Sequence, residues 1–238
     1  MATFVLLHGA WHGGWCWEKS ATVLSGRGHR VTRPTLTGLG ERAHLLTSSV
    51  GLDTFRQDIV NHLLAEDLSD VILVAHSFGG IVATLVVDEI AERFCRLVLL
   101  DSDLAIGGCS TFDLLAEDVV SSRLANLVDV RGVPCFPSPS GRTLGILDNG
   151  LARSTESRLT PHPVKSYQDI ACLTRAQGAG LPGDYIICSK PNYGLSDTGA
   201  PKAQKLGFTI HELETGHDAM ITEPFLLSDL LDQISSAA

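Results

Sequence analysis

The stretch Val71-Ile72-Leu73-Val74-Ala75-His76-Ser77-Phe78-Gly79-Gly80 decides how the chain is read. Residues 71–75 form a continuous apolar run, the pattern of a strand buried on both faces of a parallel sheet. A helical pattern follows at once, from Gly79 to Arg93. Ser77 therefore falls on a strand-to-helix turn crowded by small residues. That is the setting of a nucleophile elbow, G-x-S-x-G, here with Ala75 in the first glycine's place. Such a turn exposes the serine Oγ and puts the Phe78 N–H at a helix N-terminus, where negative charge is favoured. Ser77 is the candidate nucleophile and Phe78 a candidate oxyanion donor. The same turn can also hold a serine without chemistry.

Outward from the elbow, strand-like and helix-like runs alternate, which predicts a doubly wound, mostly parallel sheet flanked by helices. The strands are Thr3 to Leu7, His29 to Arg33, Val71 to Ala75, Leu97 to Leu100, Tyr185 to Cys188 and Phe208 to Leu213. Glu18 to Ser25 and Thr54 to Glu66 read as helices. The second would bury Phe55, Ile59, Leu63 and Leu64, with Asp53 or Thr54 capping its start. Pro224 opens a last helix, where its missing N–H costs nothing. The stretch from Leu104 to about Pro163 breaks the rhythm with five prolines and several glycines. It predicts an inserted lid over the sheet's C-terminal edge, within a single domain spanning residues 1–238.

Composition narrows the partners. A net charge of -9 argues against nucleic acid. No apolar run approaches the roughly 20 residues of a membrane-spanning helix. The start, Met1-Ala2-Thr3, lacks the basic segment of a secretory signal, and the six cysteines form no C-x-x-C pair. The expectation is a cytoplasmic protein with reduced thiols, acting on a small molecule without metal or organic cofactor. Its oligomeric state stays open.

Two further segments carry candidate chemistry. His8-Gly9-Ala10-Trp11 ends the first strand, and Thr215-Gly216-His217-Asp218 lies between the last strand and the last helix. A late loop histidine after a strand-end serine follows the chain order serine, acid, histidine. His217 is thus the candidate general base, although a lone histidine is more often structural.

Residues 6–17 (LLHGAWHGGWCW), 75–80 (AHSFGG) and 216–218 (GHD) together resemble the α/β-hydrolase superfamily. More narrowly, they are similar to small plant methyl esterases and hydroxynitrile lyases with their bacterial esterase relatives. Thr37-Gly38-Leu39-Gly40-Glu41-Arg42 resembles the bacterial relatives as well. The resemblance spans nearly the whole chain and weakens between Gly107 and Gly183. It implies the α/β-hydrolase fold, ester (or lactone) hydrolysis of a small, largely apolar substrate through an acyl-enzyme, and an oxyanion hole built from the Ala10 and Phe78 N–H groups. Trp11, beside Ala10, would line the substrate pocket. Relatives carry the triad acid just after the strand matching Tyr185 to Cys188. Here Ser189-Lys190-Pro191-Asn192 offers no carboxylate. Asp101, at the end of the strand after the elbow helix, is placed first as the substitute. Asp197, Asp103 or a Ser–His dyad are the alternatives.

Other readings are kept open. The lyases have a lysine after the histidine and a threonine in the oxyanion loop, where this chain has Asp218 and Gly9. A tailoring enzyme of secondary metabolism, or a silent small-molecule-binding protein, would fit the missing acid. Gly38 to Ala43 matches a dinucleotide fingerprint but does not open a helix directly after a strand. His8 and His12 lack the glutamate of H-E-x-x-H, so zinc is not expected there. His76 is read as a structural hydrogen-bonding residue.

Overall fold

The computed structural model describes residues 1–236. Among the described residues nine strands run in chain order: β1 Thr3–Leu7, β2 Arg30–Thr32, β3 Val71–His76, β4 Phe94–Leu100, β5 Val128–Val130, β6 Val133–Phe136, β7 His162–Pro163, β8 Gly183–Cys188 and β9 Thr209–Leu213. The α-helices are α1 Glu18–Gly26, α2 Leu52–Ala65, α3 Gly79–Ile90, α4 Glu117–Ala125, α5 Asn149–Glu156, α6 Lys165–Gln168, α7 Leu195–Lys205, α8 Ala219–Thr222 and α9 Pro224–Ser236.

Six strands form one sheet in the order β2-β1-β3-β4-β8-β9, and every pairing in it is parallel. Parallel strands are covered on both faces, so the central ones must be apolar throughout. All six residues of β3 are buried, whereas the edge strand β9 buries only Leu213 fully. Helix α3 runs behind the sheet and is buried from Gly79 to Asp88, as its all-round apolar sequence requires. The chain leaves β1 for β2 on one side and then crosses to β3 on the other. The carboxyl ends of β1 and β3 therefore flank a topological switch point, where sheets of this kind leave a crevice.

Several expectations needed correction. Helix α2 begins at Leu52, not Thr54, and its N-cap is Gly51 rather than Asp53 or Thr54. The Thr54 hydroxyl instead accepts from the Gly51 N–H at 3.3 Å, and the Asp169 carboxylate accepts from the Leu52 N–H at 2.9 Å. Leu64 is 48% exposed while Phe55, Ile59 and Leu63 are buried, so the apolar stripe is narrower than its sequence suggests. Helix α7 was not anticipated: Pro201 stands inside it, and its sequence reads as a loop.

Residues 101–182 separate β4 from β8. They hold a small antiparallel sheet, β5-β6-β7, and the helices α4 to α6. This interval continues well past Pro163, to the start of β8. It rests on the loops at the carboxyl ends of the main strands: the Thr160 N–H donates to the Trp11 carbonyl at 2.9 Å, and the Asp218 N–H to the Leu144 carbonyl at 3.3 Å. None of the six cysteines pairs with another. No helix among the described residues is long and apolar enough to cross a membrane.

Candidate active site

Four strand ends deliver the site: His217 follows β9, and the other three strands are left through residues with left-handed backbone. These are Trp11 after β1 (φ 65°), Ser77 after β3 (φ 54°) and Asp101 after β4 (φ 40°). Glycine packing explains the small residues around the serine. A Cβ on Gly9 would lie 2.7 Å from the Ser77 Cβ, and one on Gly79 would lie 2.7 Å from the His8 carbonyl. The Gly9–Ala10 backbone is thereby held against the serine. Ala10 and Phe78 are both buried there, Phe78 at the start of α3.

The His217 Nε2 lies 3.0 Å from the Ser77 Oγ, and its Nδ1 lies 2.7 Å from an Asp101 carboxylate oxygen. Asp101 is fully buried; its backbone N–H donates to the Ile186 carbonyl at 2.8 Å, and its other carboxylate oxygen accepts from the Ser196 hydroxyl. The structure thus brings Ser77, His217 and Asp101 into one chain of hydrogen bonds. Asp197 is exposed and pairs with the Asn192 amide at 3.1 Å. Asp103 binds the Lys202 ammonium at 2.7 Å and 2.9 Å on the cleft wall. Neither touches His217.

Further residues hold the histidine. Tyr193 stacks flat on its ring, with centroids 3.9 Å apart and planes 15° apart. From beneath, the His76 Nε2–H donates to the His217 carbonyl at 3.0 Å. Next to it, His12 Nε2 meets the buried Asp218 carboxylate at 3.1 Å. Burial works against charge on His12, yet that carboxylate raises its pKa above the ordinary value. His76 is the opposite case: burial first, then its histidine neighbours, keep it neutral. Tyr193 and Ser196 escaped the sequence reading. Their signal is positional, since both lie in the segment after β8 where the relatives carry their acid.

A cleft opens above Ser77, walled by Trp11, Phe78, Ile81, Tyr167 and Tyr193 among others. Tyr167 stacks on Phe78 at 4.7 Å, although it lies beyond the stretch expected to form the lid. His8 and His12 are engaged by the backbone and by Asp218. His8 Nδ1–H donates to the Gly9 carbonyl at 2.8 Å while its Nε2 accepts from the Leu36 N–H at 3.1 Å; His12 Nδ1–H donates to the Ala10 carbonyl at 2.8 Å. Among the described residues, His76, His217 and Asp218 bring potential ligand atoms within 4.8 Å of one another. Both ring nitrogens of His217 already face Ser77 and Asp101, so a metal would have to break that chain.

Comparison with known proteins agrees with this architecture. The sequence pattern described as the alpha/beta hydrolase family matches residues 4–229. A carbendazim hydrolyzing esterase of Nocardioides sp. (strain SG-4G) is 51% identical over 97% of this chain and 98% of its own. Methylesterase 7 of Arabidopsis thaliana is 35% identical over 49% of this chain and 46% of its own. An extracellular alpha/beta-hydrolase from a Paenibacillus species superposes with a TM-score of 0.82 at 24% identity, covering 98% of both chains. With its all-parallel main sheet, its strand-end serine and a match that runs almost end to end, the chain belongs to the α/β hydrolase family.

Proposed function

We propose that this carboxylic ester hydrolase acts on small, largely apolar esters through a Ser77–His217–Asp101 triad and an acyl-enzyme. The observation that carries the reading is the continuous hydrogen-bond chain from the Ser77 hydroxyl to the Asp101 carboxylate. In this reading His217 Nε2 takes the Ser77 proton as Oγ attacks the ester carbonyl. The oxyanion is met by the Ala10 and Phe78 N–H groups, the latter at the N-terminus of α3. His217 then passes its proton to the departing alkoxide, and the alcohol leaves. Water, deprotonated by His217, attacks the acyl-enzyme and frees the acid and Ser77. Asp101 holds the imidazole in one tautomer and stabilises its charged form.

Intact Ser77 and His217 argue against a silent binding protein, a reading that the absence of a carboxylate after β8 left open. The contact between Asp101 and His217 supports the hydrolase reading. The relatives' names suggest the compounds to try: carbendazim and simple methyl esters. A fluorophosphonate should add one label, and Ser77→Ala should abolish both labelling and turnover. A variant that still labels or turns over would overturn the assignment.

A further inference from the structure

One cationic group on the cleft wall has no part in the acyl-transfer scheme. Arg123, near the C-terminus of α4, is half-buried and faces the same cleft as Ser77. Its guanidinium lies 5.5 Å from the Tyr167 ring centre and 6.0 Å from that of Phe136. Among the described residues no carboxylate pairs with it. Asp103, the acidic residue on the wall, is taken up by Lys202. Beyond its hydrogen bond to the Tyr167 side chain, the Arg123 charge therefore has no partner among the described residues.

The cleft's other walls are aromatic: Phe78, Tyr167 and Tyr193 offer flat apolar faces. A guanidinium amid aromatic rings binds a planar acceptor well, because its edge N–H groups stay in plane for hydrogen bonding while its face rests on the rings.

We infer that the cleft takes an aromatic acyl group bearing a hydrogen-bond acceptor at the end remote from the ester, and that Arg123 selects it. This rests on the ester-hydrolase reading and departs from it in one respect: the substrate is polar at its far end.

The test compares methyl benzoates carrying carboxylate, carboxamide or methyl at the 4-position. Taking the ratio of wild type to Arg123→Met for each ester cancels differences in intrinsic reactivity. Arg123→Met should lower kcat/KM for the carboxylate ester by about 10- to 100-fold, for the carboxamide less, and for the methyl ester least. Arg123→Lys should keep part of the carboxylate preference, and thermal melts of both variants report folding. Equal losses on all three esters would overturn the inference. Calorimetry with Ser77→Ala and the free acids separates this from the parent reading. Tighter binding of terephthalate than of 4-methylbenzoate, lost on adding Arg123→Met, supports the inference even if no ester is hydrolysed. Equal binding of the two acids overturns it even if esters are.

Discussion

Ser77 and Asp101 both hold a backbone conformation that ordinary residues avoid, at roughly 1–2 kcal/mol each. The packing around them keeps it in place. Ser102, next to Asp101, donates its hydroxyl to the Ser77 carbonyl at 2.5 Å, and the Tyr185 hydroxyl donates to the Ser102 carbonyl at 2.6 Å. The left-handed turn at Asp101 leads the chain out of β4 and sets its carboxylate against His217. Replacing a triad aspartate by asparagine costs on the order of 10⁴ in kcat where it has been measured, because the imidazole adopts the wrong tautomer. Asp101→Asn should fall in that range, with the fold intact by circular dichroism. Asp197→Asn, remote from His217, should stay within about threefold, since changes at exposed sites away from the chemistry are small. Steady-state hydrolysis of one ester by both variants checks the ranking, and the reverse order would move the acid role to Asp197.

At the scale of elements, the interval between β4 and β8 supplies parts that the sheet's helices lack. Helix α2 has glycine at its N-cap, so its first N–H groups need acceptors from elsewhere. Asp169, which follows α6, provides one at 2.9 Å and binds Lys165 as well. Asp169→Ala should therefore lower stability by about 1 kcal/mol, the usual cost of a lost cap. Asp169→Asn keeps an acceptor oxygen and should lose less. Urea unfolding of the two variants tests this; equal and negligible effects would show that the capping contact carries no stability. Tyr193 and Ser196 make a similar point. One lies just before α7 and the other in its first turn, so the position of that helix places both against the His217–Asp101 pair.

For the whole molecule, the buried histidines set the response to acid. Burial lowers the pKa of His8 to about 3, and burial likewise holds His76 and His162 well below the ordinary value. Hydrogen bonding agrees for His8, whose Nε2 accepts from the Leu36 N–H and so carries no proton. In the unfolded chain each titrates near 6.5. Below that pH the unfolded state binds protons that the native state refuses, so stability falls as pH falls. The loss accrues from about pH 6.5 downwards and for His8 comes to roughly 2 kcal/mol between pH 7 and 5. His12 has the opposite sign. Its raised pKa contributes stability that is full below about 6.5 and is lost as pH rises through the folded value. Stability from urea unfolding should therefore fall from pH 7 to pH 5, with His8 alone contributing roughly 2 kcal/mol of the loss. A flat profile would show that these rings take up protons in the native state.

The α/β architecture and the positions of Ser77 and His217 were legible in the sequence because their signals are local. A strand buried on both faces must be apolar for its whole length, as Val71 to Ala75 is, and the turn after it must be built of small residues. The lid was less legible. Its short strands and helices carry no sustained period, and Tyr167 and Arg123 meet the cleft only through the path the chain takes between β4 and β8. The acid stood between the two cases. Asp101 could be named as a carboxylate at a strand end, but Asp103 beside it and Asp197 on the segment after Asn192 were candidates as well. Their separation depends on partners far along the chain: Lys202 binds Asp103, Asn192 binds Asp197, and His217 faces Asp101 across 116 residues. Local patterning settles which residues stand at strand ends. Contact between those ends depends on strand order and on backbone turns such as the one at Asp101, and no stretch of neighbouring residues encodes either.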